Sequence, residues 1–295
     1  MRVFVTGASG FVGSAIVNEL LQAGHQVLGL ARNEQSAAKI LEAGAEVHSG
    51  NVEDLQSLKD GASQCDAVIH TAFNHDFSRF ATSCDDDRKV IMAFGEALAN
   101  TQKPLIVTSG IGIINSTGLI TENVTVAGST HPRKASELAV NALIEQGINA
   151  SIVRLPPTVH GQGDHGFVPA VIEMAKEKKE SAYLNDGSNR WPAVHRLDAA
   201  VLYRLIIEKQ PTLKVFHAVA EEGIPFREIA EAIGNGLGLP TVSKTGAEAD
   251  AHFTWIRHFI ELNCPASSEL TRQSVGWNPI KPGLFEDMIS AGYFK

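Results

Sequence analysis

Cysteine is scarce. Cys65, Cys84 and Cys264 are the only three in 295 residues, odd in number and far apart. They give neither a disulfide framework nor a zinc-ligand spacing, which fits a reducing cytoplasm. Long apolar runs are missing too. None approaches the roughly 20 residues of a membrane helix, and the chain opens on strand residues rather than on a signal peptide's apolar run and cleavage site. Basic residues are in deficit: 25 Lys and Arg stand against 33 Asp and Glu, for a net charge of −8. Nucleic-acid binding needs a clustered excess of cations. The densest basic run, Lys176, Lys178 and Lys179, is interleaved with Glu173, Glu177 and Glu180 and reads as a solvated helix face. Neither nucleic acid nor membrane is therefore expected as a partner. Tyrosine is equally rare, at Tyr183, Tyr203 and Tyr293.

What is present is alternation. Val3-Phe4-Val5, Val27-Leu28-Gly29-Leu30, Glu46-Val47-His48, Ala67-Val68-Ile69, Leu105-Ile106-Val107 and Ile152-Val153-Arg154-Leu155 read as six short strands. Ile16, Val17, Leu20 and Leu21, then Val90, Ile91, Phe94 and Leu98, follow helical spacing, and further helices are expected over about 34–43 and 132–145. The acidic run Asp85-Asp86-Asp87 is expected at the start of the Val90 helix, where the dipole favours negative charge. Such alternation means βαβ units and a parallel sheet covered on both faces. The expected fold class is α/β: a Rossmann-type doubly wound parallel sheet over residues 1–155, with a smaller C-terminal substrate-binding lobe, 156–295, packed on the same sheet. Pro156-Pro157 mark the change, and helical stretches such as 226–234 are expected to dominate after it.

Thr6-Gly7-Ala8-Ser9-Gly10-Phe11-Val12-Gly13 joins the first strand directly to the first helix. Gly7 allows a tight turn, Gly10 lets backbone approach a pyrophosphate, and Gly13 lets the helix pack closely on the strand. The free N–H groups of the helix start then face the anion. Ser9, Phe11 and Val12 thus join Gly7, Gly10 and Gly13 as expected dinucleotide contacts. At the end of the second strand stand Ala31 and Arg32. No carboxylate is there to select NAD, and a guanidinium can bind a 2′-phosphate bidentately. NADP(H) is the preferred cofactor, with NAD(H) admissible.

On these residues the chain resembles the short-chain dehydrogenase/reductase superfamily, in the extended or atypical branch that includes the NAD(P)-dependent epimerases and dehydratases. The spacing Gly7-x-x-Gly10-x-x-Gly13 is that branch's form. The resemblance implies cofactor contacts at Asn51 and Val52, where the family normally has an Asp against adenine, at Thr71, Ala72 and Phe73 beyond the fourth strand, and at Thr108. Ser109 would be the catalytic serine. Arg154 to Gly161 looks like the sixth strand and its exit, and Asn189 to Asp198 like the stretch that borders substrate. Arg190 and Trp191 are candidate substrate contacts, with core packing the alternative for Trp191. Gly276-Trp277-Asn278-Pro279 resembles the family's C-terminal signature. The resemblance also implies a homodimer through helices at about 88–100 and 132–145.

One departure bears on chemistry. The family's Tyr-x-x-x-Lys pair is absent: Gly187 and Ile207 stand four residues after Tyr183 and Tyr203, and Tyr293 is too near the end. Placing the helix by Glu137 puts Arg133 at the lysine position and Ser129 at the tyrosine position, with Lys134 rotated about 100° around the helix. Arg133 can donate to ribose hydroxyls, but its pKa above about 12 prevents proton cycling. Ser109 either orients a carbonyl or bonds local backbone. His131, which titrates near neutrality, is either the replacement proton donor or an exposed loop residue. Ser109, His131 and Arg133 are therefore the catalytic candidates. His75 and His160 also lie beyond strand ends, and His160 with His165 is too sparse a set for a metal. The expected activity is hydride-transfer reduction of a small-molecule carbonyl, or the reverse oxidation of an alcohol. The alternative is a non-catalytic NADP(H)-binding sensor.

Overall fold

The computed structural model describes all 295 residues, the side chain of Phe77 excepted. The first half alternates as β1 (Arg2–Thr6), α1 (Phe11–Gln22), β2 (Gln26–Ala31), α2 (Glu34–Glu42), β3 (Glu46–Ser49), α3 (Leu55–Ser63), β4 (Ala67–His70), α4 (Phe80–Leu98), β5 (Leu105–Gly110), α5 (Lys134–Glu145) and β6 (Ala150–Leu155). Side-chain caps set two of the helix starts. Asn33 accepts from the Ser36 N–H at 2.9 Å before α2, and Asp54 from the Ser57 N–H at 3.0 Å before α3. There follow β7 (Thr158–His160), α6 (Phe167–Lys178), β8 (Ser181–Leu184), β9 (Arg190–His195), α7 (Arg196–Lys209), β10 (Val215–His217), β11 (Glu221–Pro225), α8 (Phe226–Leu237) and β12 (Thr241–Lys244).

Seven strands form one parallel sheet in the order β3-β2-β1-β4-β5-β6-β10. The strands at the centre of the sheet are mostly apolar because both faces are covered, whereas the edge strand β3 is largely exposed. Val3, Val5 and Val27 face Ile16, Leu20 and Ile40 with α7 on one side. Phe4, Val68 and Leu105 face Val90, Phe94 and Leu143 on the other. The strand order reverses between β1 and β4, and ligands of such sheets bind in the crevice at the carboxyl ends there.

Helices dominate the second half as expected, and six short strands that the sequence did not announce accompany them. β7, β9 and β11 make a small sheet, and β8 pairs with β12. Their alternation is masked because Trp191, Ala193, Ile224 and Phe226 pack inward among lobe helices, so no clean polar face is exposed. The same half also supplies β10 to the main sheet and α7 to the flank of α1. Asp198 closes the join: its carboxylate accepts from the N–H groups of Ile280 and Lys281, and its carbonyl from Trp277 Nε1 at 2.8 Å.

Two further expectations are corrected. The acidic run does not open α4, which begins at Phe80; it lies in the second turn, where Asp85 and Asp86 pair with Arg88 and Lys89 while Asp87 is buried. Helix α5 starts at Lys134, two residues later than expected, with Ser129 ahead of it. Among the described residues no helix is long and apolar enough to cross a membrane.

Candidate active site

The turn between β1 and α1 can be built only with glycine. Gly7 has φ +69°, and a Cβ there would lie 2.6 Å from Thr71 Oγ1 and 2.9 Å from the Ala72 nitrogen. A Cβ on Gly13 would lie 2.0 Å from the Gly7 carbonyl oxygen, so the helix crosses the strand exit at backbone contact. The Gly10 N–H donates to Gly7 O at 2.9 Å and closes the turn. Gly10 occupies the N-cap without a side-chain cap, and the first turn holds no acid. The N–H groups of Phe11, Val12 and Gly13 are thus left for an anion, with the half-buried Ser9 beside them. This cradle fits a pyrophosphate.

Towards the β3 edge, Ala31 is buried and Arg32 is exposed. Among the described residues Arg32 makes no ion pair or hydrogen bond. Asn51 is exposed, and its Oδ1 accepts from the N–H groups of Glu53 and Asp54 at 2.7 and 3.0 Å. Its amide N–H groups are the part left to meet a base. Val52 packs against the cluster below.

At the ends of β4 and β5 the structure brings Thr71, Ala72, Phe73, Thr108, His131 and Arg133 together. Thr71 Oγ1 donates to Thr6 O at 2.7 Å, and the Ala72 N–H to Thr6 Oγ1 at 3.3 Å. The Arg133 guanidinium lies 3.5 Å above the Phe73 ring centre, and Nη2 donates to Thr108 O at 3.2 Å. Nη1 faces Asp87 Oδ2 at 3.2 Å. Asp87 also accepts from Ser136 Oγ at 2.6 Å and lies 3.1 Å from His70 Nε2. Burial opposes ionisation of Asp87, but Arg133 and His70 outweigh it and hold the carboxyl below its usual range. Arg133 is thereby fixed in place as a permanent cation.

His131 is half-buried, edge-on to Phe80 at 5.4 Å, and Phe80 is edge-on to Phe73 at 5.9 Å. Its Nδ1 accepts the Arg133 N–H at 3.2 Å, so a neutral ring carries its proton on Nε2. Burial, then His258 and Arg133, push its pKa down and favour the neutral ring.

Ser109 does not take the place expected of it. It is buried, and Oγ donates to Glu137 Oε1 at 2.7 Å, within a network that Arg154 completes. Ser129 is equally committed, donating to Ile113 O at 2.6 Å, and Lys134 Nζ turns back to Ser129 O at 2.7 Å. No tyrosine fills the gap. Tyr203 is buried against Thr108 Oγ1 at 2.7 Å, and burial drives its phenol far up. Tyr293 donates to Asp164 Oδ2 at 2.8 Å, and Tyr183 lies beside Arg227. Trp191 belongs to the lobe core, whereas Arg190 is exposed. His75 lies edge-on to Phe73 at 5.1 Å, and His160 is buried on Asp287 at 2.8 Å. Among the described residues no three His, Cys, Asp or Glu are grouped to hold a metal.

Asp87 is the site residue that sequence reading missed. The signal was there: Asp87 shares the face of Val90, Ile91 and Phe94, at i+3, i+4 and i+7. A carboxylate on an apolar face needs a buried partner.

A family model described as NAD(P)H-binding matches residues 7–180. An uncharacterised protein of Schizosaccharomyces pombe is 50% identical over 295 residues, covering 100% of both chains. The decarboxylating sterol-4-alpha-carboxylate 3-dehydrogenase of Dictyostelium discoideum is 29% identical over 246 residues, 77% of this chain and 74% of that protein. Among solved structures, the dTDP-glucose 4,6-dehydratase of Streptomyces venezuelae, with NAD bound, is similar at a TM-score of 0.78 and 17% identity, covering 100% of this chain and 96% of that one. That likeness is one of fold. With the glycine cradle and the strand order in agreement, the chain belongs to the NAD(P)H-binding family.

Proposed function

We propose that the protein is an NADP(H)-dependent oxidoreductase that reduces the carbonyl of a small organic molecule, or oxidises the corresponding alcohol. The observation that carries the reading is the His131 ring, its Nδ1 accepting the Arg133 N–H, beside the fixed Arg133 cation at the ends of β4 and β5. The dehydrogenase of D. discoideum supports the reaction class.

When bound, NADP(H) supplies or accepts the hydride. The first-turn amides of α1 hold its pyrophosphate, and Arg32 its 2′-phosphate. Arg133 donates to the nicotinamide ribose, a role its immobilisation by Asp87 and Phe73 suits. His131 Nε2–H donates to the carbonyl oxygen and stabilises the negative charge that develops there. The product alkoxide takes its proton from a water admitted past the half-buried ring, and His131 keeps its own. Phe73 and Phe80 keep bulk water from the reacting atoms. The proposal includes a homodimer through α4 and α5, where Leu138 is 47% exposed; sedimentation velocity tests that part.

The test is NADPH consumption over a panel of ketones, aldehydes and quinones. Turnover of at least one is expected, and His131→Ala should lower kcat by about 100-fold with NADPH affinity kept. Tight NADPH binding with no turnover on any member would replace the enzyme reading with that of a sensor.

A further inference from the structure

Arg196 is the first residue of α7 and lies outside every stretch the glycine motif or the strand exits assign to the cofactor. Helices α1 and α7 run side by side in the same direction. Arg204 Nε bonds Glu19 Oε1 at 2.7 Å, and His25 Nε2 lies 2.9 Å from Glu208 Oε1. One turn after another is matched, so the two helix starts are level. At that level the Arg196 guanidinium stands 4.9 Å from the Phe11 ring centre, within cation–π range. Phe11 opens α1, whose free amides form the anion cradle.

The side chain of Arg196 is laid in a channel. Gly161, at φ +142°, passes so close that a Cβ there would lie 3.0 Å from Arg196 Cγ and 3.2 Å from Cδ. His165, from the same loop, also meets the Phe11 ring, edge-on at 5.7 Å. Yet the guanidinium has no acceptor among the described residues. The surrounding acids are engaged elsewhere: Asp164 with Tyr293 and the Gly166 N–H, Asp198 with Ile280 and Lys281, Asp287 with His160. An arginine held by packing, with its donors unspent beside an anion cradle, is pre-organised for a phosphate.

We infer that Arg196 is a second cofactor-binding arginine, which clamps the pyrophosphate of the dinucleotide from the α7 side. The inference rests on the dinucleotide reading of the glycine cradle. It assigns the two arginines separate tasks. Arg32 reads the 2′-phosphate that only NADP(H) carries, whereas Arg196 reads the pyrophosphate that NADP(H) and NAD(H) share. Gly161 is then a positioning residue that leaves room for the arginine stem.

Isothermal titration of NADPH and NADH into wild type, Arg196→Gln and Arg196→Lys tests this without turnover. Removing a charge-assisted bond should weaken both cofactors by a similar factor, about 10- to 100-fold, and flatten the salt dependence of binding. Arg196→Lys should restore part of the loss. Circular dichroism and melting temperature of the variants should match wild type, since no protein contact of the guanidinium beyond the Phe11 ring is lost. Unchanged affinity for both cofactors overturns the inference. So does a variant whose only defect is a raised KM for a carbonyl substrate, which would make Arg196 a substrate contact. If wild type binds neither cofactor, the cradle reading fails and the inference falls with it.

Discussion

Ser109 gives its hydroxyl proton to Glu137 at 2.7 Å, and Arg154 grips the same carboxylate through Nε and Nη2 at 2.9 and 2.7 Å. All three residues are buried, and Arg154 Nη1 reaches on to Val124 O at 2.8 Å. The network ties β5, α5 and β6 together beneath the crevice instead of opening into it. Ser109→Ala is therefore expected to act on stability. Loss of a bond to a buried carboxylate should cost about 2 kcal/mol in urea unfolding, with kcat within about twofold of wild type. A large fall in kcat with unchanged stability would return Ser109 to catalysis.

Glu137→Gln should be costlier than Ser109→Ala. It leaves the Arg154 guanidinium buried with no counter-charge, a loss of about 3–5 kcal/mol. The comparison is direct, because both variants perturb one network. Equal effects in the same unfolding assay would mean that the ion pair contributes nothing beyond the serine bond.

How much of this was legible follows from periodicity. The six strands were readable as short apolar runs, and four of the five helices between them because each buries a face of regular spacing; α3 was not expected. The Gly7, Gly10 and Gly13 turn was readable because only glycine fits the φ of Gly7 and the contacts of Gly7 and Gly13. The strands of the second half were not, because β9 is buried from Trp191 to His195 and carries Pro192, which hides a period of two. Ser109 was misread for a different reason. Its position at the end of β5 was right, but which way a strand-end hydroxyl turns depends on Glu137, 28 residues on. Arg196 could not be found at all from spacing, since its neighbour Phe11 lies at the far end of the chain.

Gly13→Ala is expected to separate α1 from β1. The added Cβ would stand 2.0 Å from Gly7 O, and a backbone carbonyl cannot rotate aside as a side chain can. Overpacking of this kind costs about 1–3 kcal/mol, and the displaced amides should weaken NADPH binding by more than about tenfold. Gly24→Ala is the contrast: Gly24 has φ +82° but open space around it, so the strain there should lower the melting temperature without touching NADPH affinity. Equal NADPH affinities for the two variants would show that the cradle is not where the cofactor binds.

Arg32→Asp should discriminate between cofactors. The guanidinium is exposed and free of partners, so its loss does not disturb the fold. A carboxylate at that position repels a 2′-phosphate and accepts from ribose hydroxyls. NADPH affinity should fall by about 100-fold, with NADH affinity unchanged or improved, as read by fluorescence titration. An unchanged preference for NADPH would place the 2′-phosphate elsewhere and make Arg32 an ordinary surface residue.

His217 sets an acid limit on the fold. It is buried, its Nδ1 lies 2.8 Å from Ser267 O, and its Nε2 lies 3.2 Å from Arg154 Nη1. Ser267 O can only accept, so Nδ1 carries the proton, and Arg154 can only donate, so Nε2 must be bare. Burial, with Arg154 adding to it, pushes the pKa down to about 4 from 6.5, although the Ser267 carbonyl pulls the other way. The folded pKa is thus below the unfolded one. Between pH 6.5 and about 4 the unfolded chain binds a proton that the folded chain refuses, and stability must fall as pH falls through that window. The share of His217 is about 3 kcal/mol, complete by pH 4 and absent above pH 7. His217→Asn keeps a donor for Ser267 O but cannot titrate. Urea unfolding at pH 7, 5.5 and 4 should show a shallower acid slope in that variant than in wild type, whatever its stability at pH 7. Parallel slopes would mean that Arg154 moves aside and lets His217 take its proton.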